Sequence, residues 1–514
     1  MLSSQESLAA KFVNKWFWLY FFTFLIGPLG YLVKVLISRD LSVEEVGMLY
    51  GVISFVTFLS MYNDLGCTES LAYFLPKHIV RKEYGKAKYL IHLVFVSQMA
   101  TSLAIYGILF FLAPWLSLHY FKADTTDILR IAGLFFIGIN ILHIATVFFM
   151  AVQDTKLQKW TELIRIWGTA IGAMILFFGE FWNLERYMII WILGLIVGLS
   201  FAGILVMKKY YIPHFFHVKK ERDIALRNNF FKYALATLFT ANIGMVLSQI
   251  DMQLIIYFLG SRDVGFYSTY LSLIGIPFLL LTPIIGFLFP VISELSGRNE
   301  EYKIAALVRR FWTYFGIIGI WAGVFMFQFS GILSVFFFGE KFRESWDILA
   351  YSALFIVLNF LIQISFQVLA GTGQIRKRAE ILAIVLVINI WLNLILIPYM
   401  GTHGSALAVW LSWIPLYYLS TRATGISLPI FWEKSWYINL CAAWIAYLAW
   451  DFLRRYLGNT PFFFDIVLAI LLYMTIFIGI NMKMLREAYK TVQSARHERK
   501  NTIVHAHPDI PSPL

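Results

Sequence analysis

Charge is scarce in this chain. Charged side chains make up 14% of its 514 residues, against about 25% in an ordinary soluble domain. Sixty per cent are apolar, which leaves too little polar surface to coat a water-soluble body. Cysteine is nearly missing: Cys67 and Cys441 both lie in apolar segments, so neither a disulfide framework nor a cysteine metal site is expected. No GxxxxGK[ST] sequence occurs, which removes the usual sign of an ATP-driven pump. Long soluble loops are missing too. The longest, roughly 208–229, is too short for a nucleotide-binding domain.

Apolar helix fills the space. A span needs about 20 mostly apolar residues. Fourteen are predicted, at 16–38, 46–75, 89–112, 128–152, 163–181, 187–207, 230–259, 265–293, 311–334, 347–370, 379–399, 405–421, 437–453 and 463–482. The first is too long for a signal-peptide core and no small-residue cleavage site follows it, so it is expected to remain a span. The expected class is an all-α polytopic membrane protein. Of the 42 Lys and Arg, 32 fall at the ends that share a side with the N-terminus and nine at the opposite ends. The positive-inside bias therefore places both termini in the cytoplasm of a plasma or inner membrane. The last residues, 483–514, are polar and end in HPDIPSPL; they read as a disordered cytoplasmic tail, with His505 and His507 incidental.

The chain repeats itself at an offset of about 218. Val46-Gly47 pairs with Val264-Gly265, Glu83-Tyr84 with Glu301-Tyr302, Phe148 with Phe366, Lys159 with Lys377 and Glu162 with Glu380. The offset carries spans 1–6 onto spans 7–12 in the same membrane orientation, a parallel repeat. The expected organisation is an N-lobe at 1–225, a C-lobe at 226–425, two extra spans at 426–482 and the tail.

At this point the sequence resembles polysaccharide or O-antigen type flippases of the multidrug/oligosaccharidyl-lipid/polysaccharide exporter superfamily. The resemblance rests on Asn63-Asp64-Leu65-Gly66 leading into Phe74-Leu75-Pro76, and on RKEYGKAK at 81–88. It continues with Asp251 before IIYFLGSRDVGFYS and with Phe289-Pro290-Val291-Ile292-Ser293. It ends with VLAGTGQIRKR at 368–378, followed by Asn389, Asn393 and LIPYMGTHGSALA. These cover most of residues 10–425. The resemblance implies fourteen helices in two lobes and alternating-access movement of an isoprenoid-lipid-linked oligosaccharide for polysaccharide biosynthesis. Relatives that flip lipid-linked peptidoglycan precursor carry several arginines in the early spans, whereas span 1 here holds Lys34 alone.

Polar residues inside spans are the candidate site, because charge in lipid is costly. At 100° per residue, Tyr20, Thr23 and Lys34 share a stripe of span 1 with Gly27, Gly30 and Tyr31. Tyr50, Thr57 and Asp64 share one in span 2 with Ser54. Asn242, Gln249 and Gln253 share one in span 7, with Asp251 on the opposite face. Each stripe suits a wet cavity or close helix packing. Asp251 suits an ion site or a packing partner, since a carboxylate repels phosphate. Arg39 and Arg262 mark an outer mouth. Lys11, Lys15, Lys77, Arg81, Lys232, Arg309 and Arg310 mark an inner one that attracts phosphate or simply obeys the positive-inside rule. His92 and His143 read as structural. Pro277, Pro283 and Pro290 predict a kinked span 8.

No cofactor, metal or enzymatic activity is expected. The expected partners are the lipid-linked glycan, membrane lipids and glycan-processing enzymes, with the protein itself a monomer. The alternatives are a small-molecule/cation antiporter of the same superfamily and a membrane glycan polymerase or ligase.

Overall fold

The computed structural model describes residues 8–152, 154–180, 183–286, 288–426, 434–457 and 462–506, and every element among them is helical. The first half holds α1 (Leu8–Asp40), α2 (Val43–Asp64), α3 (Cys67–Val80), α4 (Tyr84–Leu116), α5 (Thr126–Ala151), α6 (Thr155–Phe178) and α7 (Leu184–Leu205). The second holds α8 (Ile224–Phe258), α9 (Ser261–Ile274), α10 (Ile276–Gly286), α11 (Leu288–Gly297), α12 (Glu301–Phe338), α13 (Ser345–Ala353), α14 (Ile356–Gly371) and α15 (Ile375–Ala423). Two more helices follow, α16 (Lys434–Leu457) and α17 (Phe462–Ala506). The last runs on through residues that the sequence places in a tail; 507–514 lie outside the described residues.

Among the described residues, nine helices are long and apolar enough to cross a membrane, or up to twelve if each bent pair is one span. The difference from fourteen lies in α15 and α16. α15 has 49 residues, about 74 Å at 1.5 Å per residue, more than twice the roughly 30 Å of hydrocarbon. It folds back at Gly401, whose φ of 60° and ψ of −139° are not helical. Ser405 Oγ then reaches Asn393 Oδ1 at 2.8 Å across the turn. α16 ends in Asp451, Arg454 and Arg455 and is not among the twelve.

Breaks fall where the backbone chemistry requires them. The stretch 46–75 is not one helix: Leu65 and Gly66 take positive φ between α2 and α3, and Asp64 Oδ1 accepts the Thr68 amide at 3.1 Å on the far side. The proline-bearing segment from Ser261 to Gly297 bends by 51°, as its three prolines predict, and the pair α13–α14 bends by 58°. α8 bends by 42° between Leu238 and Asn242, where Asn242 Nδ2 donates to the Leu238 carbonyl at 2.9 Å.

Within each half the helices pack on one another, and the halves meet where α2 crosses α9 and where α8 lies on α2 and α3. The α2–α9 crossing is reciprocal. A Cβ on Gly47 would fall far inside van der Waals contact with the carbonyl of Ser261, and one on Gly265 would do the same with the carbonyl of Val43. Both pairs are related by the 218-residue offset, so each glycine meets the counterpart of the other's partner. Charged side chains tie the same end. Arg39 donates to the carbonyls of Phe336 and Phe337 at the end of α12. Lys341 donates to the Arg39 carbonyl at 3.0 Å and the Leu41 carbonyl at 2.5 Å. At the opposite end Ser70 Oγ donates to the Phe230 carbonyl at 3.2 Å, and Tyr73 stacks on Tyr233 with ring centres 4.6 Å apart.

α16 and α17 form a separate apolar cluster with one face of α12, through Trp321, Val324, Phe329, Trp450 and Tyr473. Polar bonds fix its register. Asn439 and Asn481 exchange amide hydrogen bonds at 3.1 and 2.7 Å, and Trp321 Nε1 donates to Asn439 Oδ1 at 2.8 Å. Asn439→Ala strands two donors at once, so it is expected to cost about 1–2 kcal/mol, read as earlier thermal unfolding of the detergent-solubilised protein. Adding Asn481→Ala should cost little more, because the pair is one unit. Additive losses would show that the amides act independently.

Candidate functional site: a polar cavity beside the bend of α8

A cavity of about 470 Å³ opens among α2, α5, α6 and α7, with Met245 of α8 also in its lining. α2 supplies Thr57 and Ser60, α5 supplies Asn140, His143 and Thr146, and α6 supplies Gln158, Thr161, Glu162 and Arg165. On α5 and α6 these residues recur three or four apart, the spacing that keeps a helix face in register. Trp191 and Phe135 form an aromatic wall, their rings edge to face at 5.9 Å. Such a lining offers amides and hydroxyls for sugar hydroxyls, a flat apolar ring, and one guanidinium for an anion.

Arg165 is held by its neighbours. Gly194 and Gly198 on α7 lie four apart, and a Cβ on either would collide with Arg165 or the turn after it. These small residues let α7 close on α6 beside the arginine stem. Glu162 sits one turn before and takes Lys159 Nζ at 2.8 Å.

The candidates from the sequence fall in several places. Thr57 lines the cavity, while its hydroxyl donates to the Ile53 carbonyl at 2.7 Å. Lys34 Nζ lies 4.1 Å above the Tyr50 ring and donates to the Ser268 carbonyl at 2.5 Å, tying α1 to α9. Gln249 and Gln253 reach α2: Ser54 Oγ donates to Gln249 Oε1 at 2.7 Å and accepts from Gln253 Nε2 at 2.8 Å. Asp64 accepts Gln98 Nε2 at 2.6 Å and caps α3. Asn242 bonds its own helix at the bend. Thr23 is half-buried on α1. The side chains of Tyr20, Lys11 and Lys15 lie outside the described residues.

At the mouths, Arg262 stands 3.8 Å from Glu44 and 3.5 Å from Glu344. Lys77 Nζ lies 3.3 Å over the Tyr73 ring, and Arg81, Lys232, Arg309 and Arg310 are exposed. Nearby, the His78 ring meets Glu83 at 2.5 Å, and that hydrogen bond holds the Glu83 carboxyl below the usual glutamate range.

Asp251 faces away from the two glutamines, as its register on the helix requires. It accepts Asn393 Nδ2 at 2.8 Å, and Asn393 Oδ1 accepts from Ser405. The Asn389 side-chain oxygen is buried nearby without a partner. His143 is exposed on the cavity wall, where the sequence suggested a structural residue; His92 does meet Tyr211 Oη, at 3.2 Å.

The sequence reading missed Arg165, Glu162, Gln158, Asn140 and Thr146. Arg165 stands third in the predicted span 163–181, where it reads as one of the basic residues at a span's end. Its glycine partners lie on another helix, and no local pattern reveals them.

A second cavity, of about 550 Å³, is almost wholly apolar. It opens where α13 breaks from α14, between α12, α15 and α16, and is lined by Leu354, Phe355, Val357, Ile414 and Trp436 among others.

The chain is 24% identical to an uncharacterised membrane protein of Methanocaldococcus jannaschii over 75% of its own length and 78% of that protein. It is 26% identical to the probable low-salt glycan biosynthesis flippase of Haloferax volcanii over 40% of its length and 44% of the relative. With the succinoglycan biosynthesis transport protein of Rhizobium meliloti the identity is 23%, over 63% and 62%. The fold is that of the lipid II flippase MurJ in an inward closed conformation (TM-score 0.72, 15% identity, 91% of this chain and 99% of that one). It also matches an inward-facing multidrug resistance MATE family transporter of the MOP superfamily (TM-score 0.61, 11% identity, 78% and 94%). Residues 12–296 match the polysaccharide biosynthesis protein family model, more than half of the chain, and the chain belongs to that family.

Proposed function

We propose that this membrane protein is a flippase that moves an isoprenoid-lipid-linked oligosaccharide across the cytoplasmic membrane by alternating access between two six-span lobes. The observation that carries the reading is the cavity lined by Arg165, Asn140 and Thr161 among apolar helices, in a member of a polysaccharide biosynthesis family. The headgroup is polar and anionic at its phosphate, and the tail stays in lipid. The cavity offers hydrogen bonds and a guanidinium to the first, and the apolar cavity beside α16 suits the second. The basic ends near α3, α8 and α12 face the cytoplasm, as do both termini. The reciprocal glycine crossing supports two lobes related by a two-fold axis along the membrane normal. Asp251 receives the amide N–H of Asn393, whose oxygen is taken by Ser405, so of its two readings the helix-packing one is favoured, since hard cations prefer oxygen ligands.

The test is a proteoliposome assay with a fluorescent polyprenyl diphosphate oligosaccharide and a membrane-impermeant quencher. The purified protein should make the inner-leaflet label accessible. Lys34→Ala should slow this about tenfold at unchanged protein level, and Lys34→Arg should retain part of the rate. Transport of a lipophilic cation down an ion gradient, with no movement of the labelled lipid, would give the antiporter reading instead.

A further inference from the structure

Basic side chains cross between the halves at the end where α2 meets α9, and three of them land on the carbonyls of helix ends. Lys122, from the connection between α4 and α5, donates to the Tyr257 carbonyl at 2.7 Å in the last turn of α8. Lys341, from the connection between α12 and α13, donates to the carbonyls of Arg39 and Leu41 at the end of α1, at 3.0 and 2.5 Å. Arg39 donates in turn to the carbonyls of Phe336 and Phe337 in the last turn of α12. The two lysines form a symmetric pair. Arg39 and Tyr257, whose carbonyls receive them, stand apart by the repeat offset, and Lys122 and Lys341 by one residue more. An aromatic neighbour accompanies each. The Tyr120 ring lies 6.0 Å from that of Tyr257 on α8, and the Phe338 ring 5.9 Å from that of Tyr31 on α1.

We propose that Lys122 and Lys341 are a paired latch: each caps a helix of the opposite half, and this end of the molecule opens only when both let go. The last carbonyls of a helix have no donor within it, and they carry the negative end of its dipole. An ammonium placed there satisfies an oxygen and the dipole at once, and its three donors can serve one carbonyl or two neighbouring ones. Lys122 holds a φ of 52°, a left-handed backbone uncommon outside glycine and asparagine. The turn itself does not call for lysine there; the carbonyl across the interface does. Both lysines are exposed, so water receives each ammonium as its contact breaks. A buried ion pair in the same place would be left with an unpaired charge, which is far more costly. The symmetry makes release concerted, because a rotation that lifts Lys122 from α8 also lifts Lys341 from α1. The opposite end closes differently, through the Ser70 hydroxyl and the stacked rings of Tyr73 and Tyr233. Added salt, which screens exposed charge, therefore weakens the latched end more. The latch is read from these contacts alone; that its release serves transport rests on the proposed function.

The reactivity of a thiol inside the crossing tests this. Ser268 is fully buried on α9, one turn in from Gly265, so Ser268→Cys in a Cys441→Ser background reacts only when the end opens. The measurement is its rate of modification by water-soluble methanethiosulfonates in the full-length protein in detergent. Lys122→Gln and Lys341→Gln keep an N–H donor and lose the charge. Each should raise the rate about two- to fivefold, the range that a cation at a helix C-terminus supplies. The double variant should show about the product, because the two lysines share no partner. Lys122→Arg with Lys341→Arg should restore the slow rate, and Lys377→Gln, at an exposed lysine elsewhere, should leave it unchanged. An unchanged rate in the double variant overturns the proposal. So do opposite shifts with a cationic and an anionic reagent, which would mean that the lysines only set the local potential. Raising salt from about 0.01 to 1 M shortens the screening length from about 30 to 3 Å. It should speed the reaction with wild-type lysines and have a smaller effect in the double variant; equal salt effects count against the latch. The assay contains no transport. A protein whose variants open but whose wild type does not flip lipid retains the latch and loses the proposed function. Normal flipping by wild type with unchanged reactivity in the double variant does the reverse.

Discussion

Replacing Gly47 by alanine is expected to force apart the ends of α2 and α9 and shift the molecule toward a state open at that end. The added methyl would overlap the Ser261 carbonyl, and backbone cannot rotate away as a side chain can. Overpacking of this kind costs about 1–3 kcal/mol, and the backbone contact puts this site at the upper end. At 1.36 kcal/mol per tenfold, that is roughly a 5- to 150-fold change in the closed-to-open ratio. Gly265→Ala should do the same through the Val43 carbonyl. Gly107→Ala, where a Cβ meets open space, is the control. Spin labels at Asp124→Cys and Glu340→Cys, in a Cys441→Ser background, would report the separation between the halves. Transport should fall at least tenfold in both glycine variants, because the alternating-access cycle proposed above passes through the closed form. Unchanged label distances in Gly47→Ala would mean that the crossing is not a gate.

Arg165→Ala is expected to produce the second large loss. A hydrogen bond to a charged group contributes about 1.5–3 kcal/mol, so headgroup binding should weaken roughly 10- to 150-fold. Arg165→Lys keeps the charge but loses the planar fork and should fall between. Gly198→Ala tests the support behind the arginine, since its Cβ would press on the Arg165 stem. It should raise the apparent substrate constant more than it lowers the maximal rate. Normal flipping in Arg165→Ala would move the phosphate contact elsewhere, with Lys34 next to be tested.

Much of this architecture is legible in the sequence, because a bilayer allows few alternatives. Long apolar stretches must be helices, since no water is present to satisfy an open backbone. Period also carries real information. The opposition of Asp251 to Gln249 and Gln253 follows from 100° per residue, and the structure turns the first to Asn393 and the others to Ser54. What periodicity does not carry is the partner. The polar stripe of α2 reads equally as cavity and as packing, and both occur: Thr57 lines the cavity while Ser54 bonds α8. The break at Leu65-Gly66 also escapes a hydropathy reading, because both flanking segments are apolar. Arg165 escapes for a further reason. Its setting depends on α7 glycines about thirty residues away, a relation with no local signature.

The docking of α16 and α17 on α12 has a consequence for biogenesis. These helices leave the ribosome after the body to which they attach. Until they arrive, the α12 face with Trp321, Gln328 and Phe329 borders lipid, with an indole donor and an amide short of the partners that Asn439, Tyr447 and Tyr473 later supply. Unmet polar groups in hydrocarbon cost several kcal/mol each. The nascent chain therefore carries a mark of incompleteness that disappears on insertion of α16 and α17. A membrane quality-control factor that recognises lipid-exposed amides would retain chains truncated after α15 and release full-length ones.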